Sequence, residues 1–333
     1  MKNSSKLLSM LLLASVVLLF SCKKEGDSSA VKAERKTSAE KVSAAALPAV
    51  TGKLVFHRYE CYGCADTRLY IYNFTTNSLT WVSQNWNLDY AMNGHFNEDA
   101  SKMVFMAQPA GSGDWDIFIW DVGSSSAPVN LTAGNGKRDE DPKFSPNGYR
   151  IAFKQDNDLR IMELNGTITN MVTSTASIEE GMPYYSDDAT ALIFAQGAGS
   201  GSDIYKININ GTGKVALANA ANIQEYYPIV WGANKYLYSR WFSAGNGHDQ
   251  VYLGNFNGTA PVRLPFNTST ADYSDAFPCG PNHVILSSTK TGGSGLYDLY
   301  IANITTGEIH SLSDYHTGIN SSVNELGACY NSH

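Results

Sequence analysis

The sequence predicts an all-β fold, a six-bladed β-propeller of four-stranded blades closed by its own C-terminal strand. One observation is a recurring phrase: an aromatic residue before a tight turn, an apolar run, a Gly-rich loop, and a second apolar run opening near an Asp. Phe144-Ser145-Pro146-Asn147-Gly148 followed by Ile151-Ala152-Phe153 is its cleanest copy. Phe96 to Phe105, Tyr185 to Phe194 and Phe277 to Leu286 keep the same internal spacing, and Trp231 to Tyr238 is a copy with a shortened turn. A repeat of roughly 40–50 residues made of short strands is the trace a propeller blade leaves in a sequence. The second observation is an incomplete first unit, for which the C-terminus supplies the missing strand.

At the N-terminus, Lys2 and Lys6 precede the apolar run Leu11 to Phe20. That is the order of an export signal, and the run is short for a membrane span. It ends Leu19-Phe20-Ser21-Cys22, which resembles a bacterial lipobox. The resemblance implies a lipoprotein signal peptide over residues 1–21 and a lipid on Cys22. A lipidated Cys22 would hold the protein on a membrane without spanning it. The expected location is therefore the bacterial cell envelope, with the membrane face left open. Residues 22–50 are rich in Ala, Lys, Glu and Ser and hold no aromatic residue. Such a segment cannot bury enough apolar surface to order itself, and a flexible tether is expected.

Residues 51–333 have the size of one propeller. The first unit, Lys53 to Ser83, offers three strands at Leu54-Val55-Phe56, Leu69 to Tyr72 and Leu79-Thr80-Trp81, with no inner strand before them. Complete units follow from Tyr90 to Thr132, Asp141 to Thr173, Glu180 to Ala218, Glu225 to Leu264 and Asp275 to Leu312. Asn324 to Tyr330 then reads as an inner strand with nothing after it. Placed in the first blade, it closes the ring and leaves no exposed edge. Asn-Gly and Asp-Asp at the first turn of a blade tolerate the backbone a hairpin needs. Gly-rich stretches such as Gly111-Ser112-Gly113 read as hairpin loops, because strands follow them and no phosphate-loop Lys does. Asp116, Asp158, Asp203 and Asp298 open the third strands and are expected to tie down their own turns.

Asp141-Pro142-Lys143-Phe144-Ser145-Pro146-Asn147-Gly148, and next Met182 to Asp188, resemble the Pro-x-Phe/Trp-Ser-Pro-Asp-Gly phrase of TolB-like propellers. The resemblance covers nearly all of Lys53–Tyr330. It implies the fold and leaves function open, since that family includes partner-binding periplasmic proteins, peptidase accessory domains and polysaccharide lyases.

The net charge of −7 and the lack of a basic cluster in the folded part argue against nucleic acid. With blades lettered A (inner) to D (outer), the D–A and B–C loops share one face, and register assigns the candidate ligand residues to it. They are Tyr59, Tyr90, Arg138, Glu180, Tyr226, Arg240, Trp241 and Asp275. Rings that stack on apolar faces, mixed with polar groups that take hydroxyls, suit a glycan or a protein partner. A binding module is the leading expectation, in a monomer. The alternative is a polysaccharide lyase using His57, Arg58, Tyr59, Arg240 or His248 as base, acid or charge neutraliser. Strand alternation sets His57 and Arg58 on opposite sides. A purely structural envelope scaffold is a third reading. No Gly-x-Ser-x-Gly elbow occurs, which sets a peptidase aside. No cofactor is called for, and a bound calcium is kept only as a minor alternative. Asp139-Glu140-Asp141 and Asp156-Asn157-Asp158 lack the spacing of a calcium loop. Cys61 and Cys64 are expected to form a small disulfide loop in an oxidising compartment. Cys279 and Cys329 are candidates to staple the ring closure.

Overall fold

Sheet pairing follows the repeat. The computed structural model describes residues 46–61, 64, 66–175, 177–197, 201–242 and 247–333. The expected signal peptide, Cys22 and most of the expected tether lie outside the described residues. Blade 1 begins with β1 (Lys53–Tyr59), β2 (Arg68–Asn73) and β3 (Ser78–Trp81). Blade 2 is β4 (Leu88–Phe96), β5 (Lys102–Pro109), β6 (Asp116–Asp121) and β7 (Val129–Asn130). Blade 3 is β8 (Asp139–Phe144), β9 (Arg150–Gln155), β10 (Asp158–Glu163) and β11 (Ile168–Met171). Blade 4 is β12 (Glu180–Tyr185), β13 (Ala191–Gln196), β14 (Asp203–Asn208) and β15 (Val215–Ala218). Blade 5 is β16 (Ile223–Val230), β17 (Lys235–Phe242), β18 (Asp249–Asn255) and β19 (Val262–Arg263). Blade 6 is β20 (Tyr273–Pro278), β21 (His283–Ser288), β22 (Asp298–Asn303) and β23 (Ile309–Ser311).

The last strand, β24 (Asn324–Asn331), pairs antiparallel with β1, Lys53 opposite Asn331 and Tyr59 opposite Asn324. Blade 1 therefore has the order β24-β1-β2-β3, and the ring closes as the sequence predicts. Closure draws in more of the N-terminal side than expected. The compact unit starts at Leu47, Val50 packs beside Leu54 and Tyr72, and the Tyr315 hydroxyl donates to the Pro48 carbonyl at 2.6 Å.

Each blade is buried on both faces, which explains why its strands read as unbroken apolar runs rather than alternating ones. In β5, Met103 and Phe105 pack toward blade 1 with Val55 and Leu69, while Val104 and Met106 pack toward blade 3 with Phe144 and Phe153. The same two-sided packing joins blades 3 and 4 through Leu159 and Phe194, and blades 4 and 5 through Ile193 and Tyr238. Leu237 and Val284 join blades 5 and 6, and Ile285 and Leu54 join blade 6 to blade 1. Fully burying one such side chain contributes about 1.5–3 kcal/mol, so the cores between blades hold the ring together.

The repeat phrase has a local cause. Ser145 Oγ accepts the Arg150 amide and donates to Asn147, and Ser186 does the same for Ala191 and Asp188. In blade 2, Asn97 replaces the Ser and accepts the Lys102 amide at 2.8 Å. The Asp residues opening the C strands also bind locally: Asp116 takes Asn130 and Thr132, Asp158 takes the Thr175 amide, and Asp298 takes the Ser294 amide.

Candidate functional site

Every inner strand breaks its ladder, β4 twice and the others once, and one break from each lines the central channel. Pairing of A with B skips between Glu140 and Lys143, Gly181 and Tyr184, Tyr226 and Ile229, and Ser274 and Phe277. Irregularities also occur between Met92 and His95 in β4 and between Leu326 and Cys329 in β24. Each skip is a β-bulge, which bends the strand and re-aims a side chain. Pro142, Pro183 and Pro228 occupy the skipped positions, where their missing N–H costs no ladder bond. The residue before each skipped position has positive φ: Asn93 (55°), Asp141 (54°), Met182 (54°), Tyr227 (50°), Asp275 (53°) and Gly327 (64°). These six form a ring around the channel, one per blade, and Asp141 and Asp275 come from opposite blades. Gly327 is required: a Cβ there would lie 2.5 Å from the His57 ring.

Two residues further along, a second ring closes the channel. His95, Tyr184 and Phe277, from alternate blades, meet edge-on with centroids 5.6 Å, 6.3 Å and 6.4 Å apart. Above this aromatic plug, on the D–A side, lies a cup of about 60 Å³ walled by Asn93, Asp141, Lys143, Tyr227 and Asp275. Burial pushes the Asp275 carboxyl up to about 7 and raises Asp141, while it lowers Lys143. Burial and then the Lys143 charge lower His57 to about 3 and push His95 well below the usual imidazole range. His95 Nδ1 accepts the Phe144 amide at 3.2 Å, so the neutral ring carries its proton on Nε2.

The structure spreads the expected lyase residues among separate tasks. His57 is buried, and its Nδ1 accepts the Asn93 amide at 3.4 Å. Arg58 points the other way, to Glu325 at 2.7 Å, with its guanidinium 4.4 Å from the centre of the Tyr70 ring. Arg240 binds Glu225, which is fully buried, and lies 4.4 Å from the Tyr252 ring centre. His248 sits 3.2 Å from Asp272 of the next blade. Tyr59 stacks on His57 at 6.0 Å.

Among the expected ligand residues, Glu180 is fully buried and takes Lys214 and Thr175, so its role is internal. Asp275 lies down in the cup. Tyr226 donates its hydroxyl to Asp249, whose carboxyl burial pushes up to about 6. Trp241 is partly exposed and donates its indole N–H to the Gly247 carbonyl at 3.0 Å. Tyr90 and Arg138 converge on a residue not singled out in the sequence. The Tyr90 ring lies 5.5 Å from Trp115, and the exposed Arg138 guanidinium lies 5.3 Å from the same ring.

Cys61 and Cys64 are joined in a disulfide. Cys279 and Cys329 are both buried and free, and they do not staple the closure. Cys329 of blade 1 packs in the core shared with blade 2 and Cys279 of blade 6 packs in the core between blades 6 and 1, so blade 1 lies between them. Among the described residues, no three His, Cys, Asp or Glu side chains gather closely enough to hold a metal ion, and no helix is long and apolar enough to cross a membrane.

The channel residues were legible only in columns. Aligning the six copies at their bulges puts Asn93, Asp141, Met182, Tyr227, Asp275 and Gly327 in one column and His95, Lys143, Tyr184, Ile229, Phe277 and Cys329 in another.

No protein-family model matches the sequence, and no curated protein is matched by it. Among solved structures the fold is similar to TolB from Acinetobacter baumannii, with a TM-score of 0.64 at 16% identity over 84% of this chain and 66% of that one. It is also similar to hydrazine synthase from Kuenenia stuttgartiensis, with a TM-score of 0.68 at 11% identity over 86% of this chain and 48% of that one. An oligogalacturonate lyase in complex with manganese gives a TM-score of 0.51 at 16% identity, over 79% of this chain and 74% of that one. This chain thus spans just under two thirds of the TolB chain and about half of the hydrazine synthase chain. The TolB-like resemblance read from the repeat phrase is thereby shown for the fold.

Proposed function

We propose that the protein is a non-catalytic binding module of the bacterial cell envelope, holding a glycan on its D–A/B–C face. The observation that carries this reading is the Tyr90–Trp115–Arg138 cluster, two rings and a guanidinium presented together beside the channel mouth. Rings of this kind stack on the apolar face of a sugar while the guanidinium takes its hydroxyls or carboxylate. Trp241 and Tyr226 of blade 5 are further candidate ligand residues on the same side of the ring. The lyase reading is weaker, because Arg58 and Arg240 are engaged inside their own blades and His57 is a buried, neutral imidazole. An envelope location is supported by the export signal and by the lipobox-like end at Cys22, which is the proposed anchor.

The test is a panel of neutral and uronate-containing polysaccharides, read by retention on native affinity gels and by the absorbance of an unsaturated uronate. Retention without new absorbance, weakened by Trp115→Ala, is the expected result. New absorbance abolished by Tyr59→Phe or His248→Ala would replace the binder with a lyase. Loss of neither signal in Trp115→Ala, Trp241→Ala and Tyr226→Ala would remove this face from the function.

A further inference from the structure

The cup above the aromatic plug holds ionisable groups of both signs that act on one another through space but, among the described residues, make no contact ion pair. Lys143 Nζ donates to the Pro142 carbonyl at 3.3 Å, and among the described residues no carboxylate lies within ion-pair distance of it. Asp141 accepts the Asn93 amide at 2.7 Å, and Asp275 accepts the Gly327 backbone N–H and the Ser274 hydroxyl. Among the described residues neither carboxylate has a cation within ion-pair distance, although the Lys143 charge acts on both. His95 borders the floor with its Nε2–H left without an acceptor. Charging these groups away from bulk water is costly, which is why burial raises Asp141 and Asp275 and lowers Lys143; an occupant that supplies both partners would offset that cost.

We propose that the cup binds a small α-amino acid zwitterion of glycine or alanine size, its carboxylate toward Lys143 and His95 and its ammonium group between Asp141 and Asp275. Layering sets the orientation. Lys143 and His95 lie one ring deeper than the two Asp residues, so the carboxylate enters first and the ammonium group faces the D–A side. Volume sets the size. One water fills about 10–15 Å³ on this scale, so the cup's 60 Å³ accommodates a ligand with a handful of heavy atoms. A sugar ring or a branched side chain does not fit. A plain anion would leave both carboxylates unmatched beside it, and a plain cation would leave Lys143 unmatched. The site is separate from the Trp115 platform, and neither reading depends on the other.

Calorimetric titration of the purified full chain tests this directly, with glycine, L-alanine, acetate, methylammonium and L-leucine as probes. Glycine and alanine are expected to bind, leucine to be excluded, and each half-ligand to bind at least about tenfold more weakly than glycine, the loss of a charge-assisted contact. Lys143→Met and Asp275→Asn are expected to weaken glycine by a similar factor, with thermal melts confirming that each variant folds. If a variant does not fold, the wild-type panel decides alone. Acetate or methylammonium matching glycine, leucine binding as well as alanine, or no heat with glycine at millimolar concentration would each overturn the proposal.

Discussion

Arg58 and Glu325, 267 positions apart, meet at 2.7 Å and join the first strand of the propeller to its last. The Glu325 side chain is fully buried and Arg58 nearly so, and the arginine also donates to the Gly318 and Ile319 carbonyls. The same acid-on-A, base-on-B pairing recurs in blade 3 as Glu140 with Lys154 and in blade 5 as Glu225 with Arg240. Removing one partner of such a pair leaves a buried, uncompensated charge. Arg58→Met is expected to cost about 3–5 kcal/mol, whereas Arg58→Met with Glu325→Leu recovers most of the loss. Denaturant unfolding of the two single variants and the double variant checks this. Additive losses would mean that the pair does not couple the strands.

Ring closure predicts a global effect from a small deletion. A chain ending at Val323 lacks β24 and exposes the edge of β1, along with the core around Leu54 and Phe56. Its melting temperature is expected to fall by at least about 10 °C, at about 2–4 °C per kcal/mol for a large domain. A truncated protein that melts like the full chain would show that β24 adds nothing to stability.

Asp275 makes stability depend on pH with a definite sign. Its folded pKa of about 7 is above the ordinary value of 3.8, so the folded state holds the proton more tightly. The contribution is fully present below pH about 4 and is lost as pH rises through 7. Asp275→Asn is therefore expected to flatten the stability profile between pH 4 and 8 and to raise the melting temperature at pH 8. Thermal melts of both proteins across that range decide the matter. Parallel profiles would show that the carboxyl does not titrate there.

The two free thiols are expected to be silent in the folded state. Burial pushes both Cys279 and Cys329 up to about 12, and the thiolate is the reactive form. A thiol reagent at pH 8 is expected to label neither until the ring unfolds, and then both. Rapid labelling of the native protein would contradict their burial.

Loss of a stacking ring at the platform is expected to separate binding from folding. Trp115→Ala is expected to weaken glycan binding by about 1–3 kcal/mol, the range for a ring stacked on a planar ligand, with sugars toward the lower end. Affinity gels beside a thermal melt separate the two effects, and equal losses in binding and stability would assign Trp115 to the scaffold.

The blade count, the turn chemistry and the strand that closes the ring follow from the sequence alone. They rest on local patterns: a Ser or Asn that accepts an amide two to five residues away, and two-sided apolar runs with turns between them. Even closure was legible, because one unit lacked a strand and one strand lacked a unit. The two charged residues that bind Arg58 and Arg240 were not, since Glu325 and Glu225 become partners only through A-to-B register. The site was legible only in part. The sequence put Tyr90 and Arg138 on one side of the ring, but Trp115 joins them only through the packing of blade 2 on blade 3. The channel was least visible. Asp141, Lys143 and Asp275 lie far apart in the chain, and it is bulging of six inner strands around one axis that brings them together. Local chemistry writes the blade; only the ring decides what faces its centre.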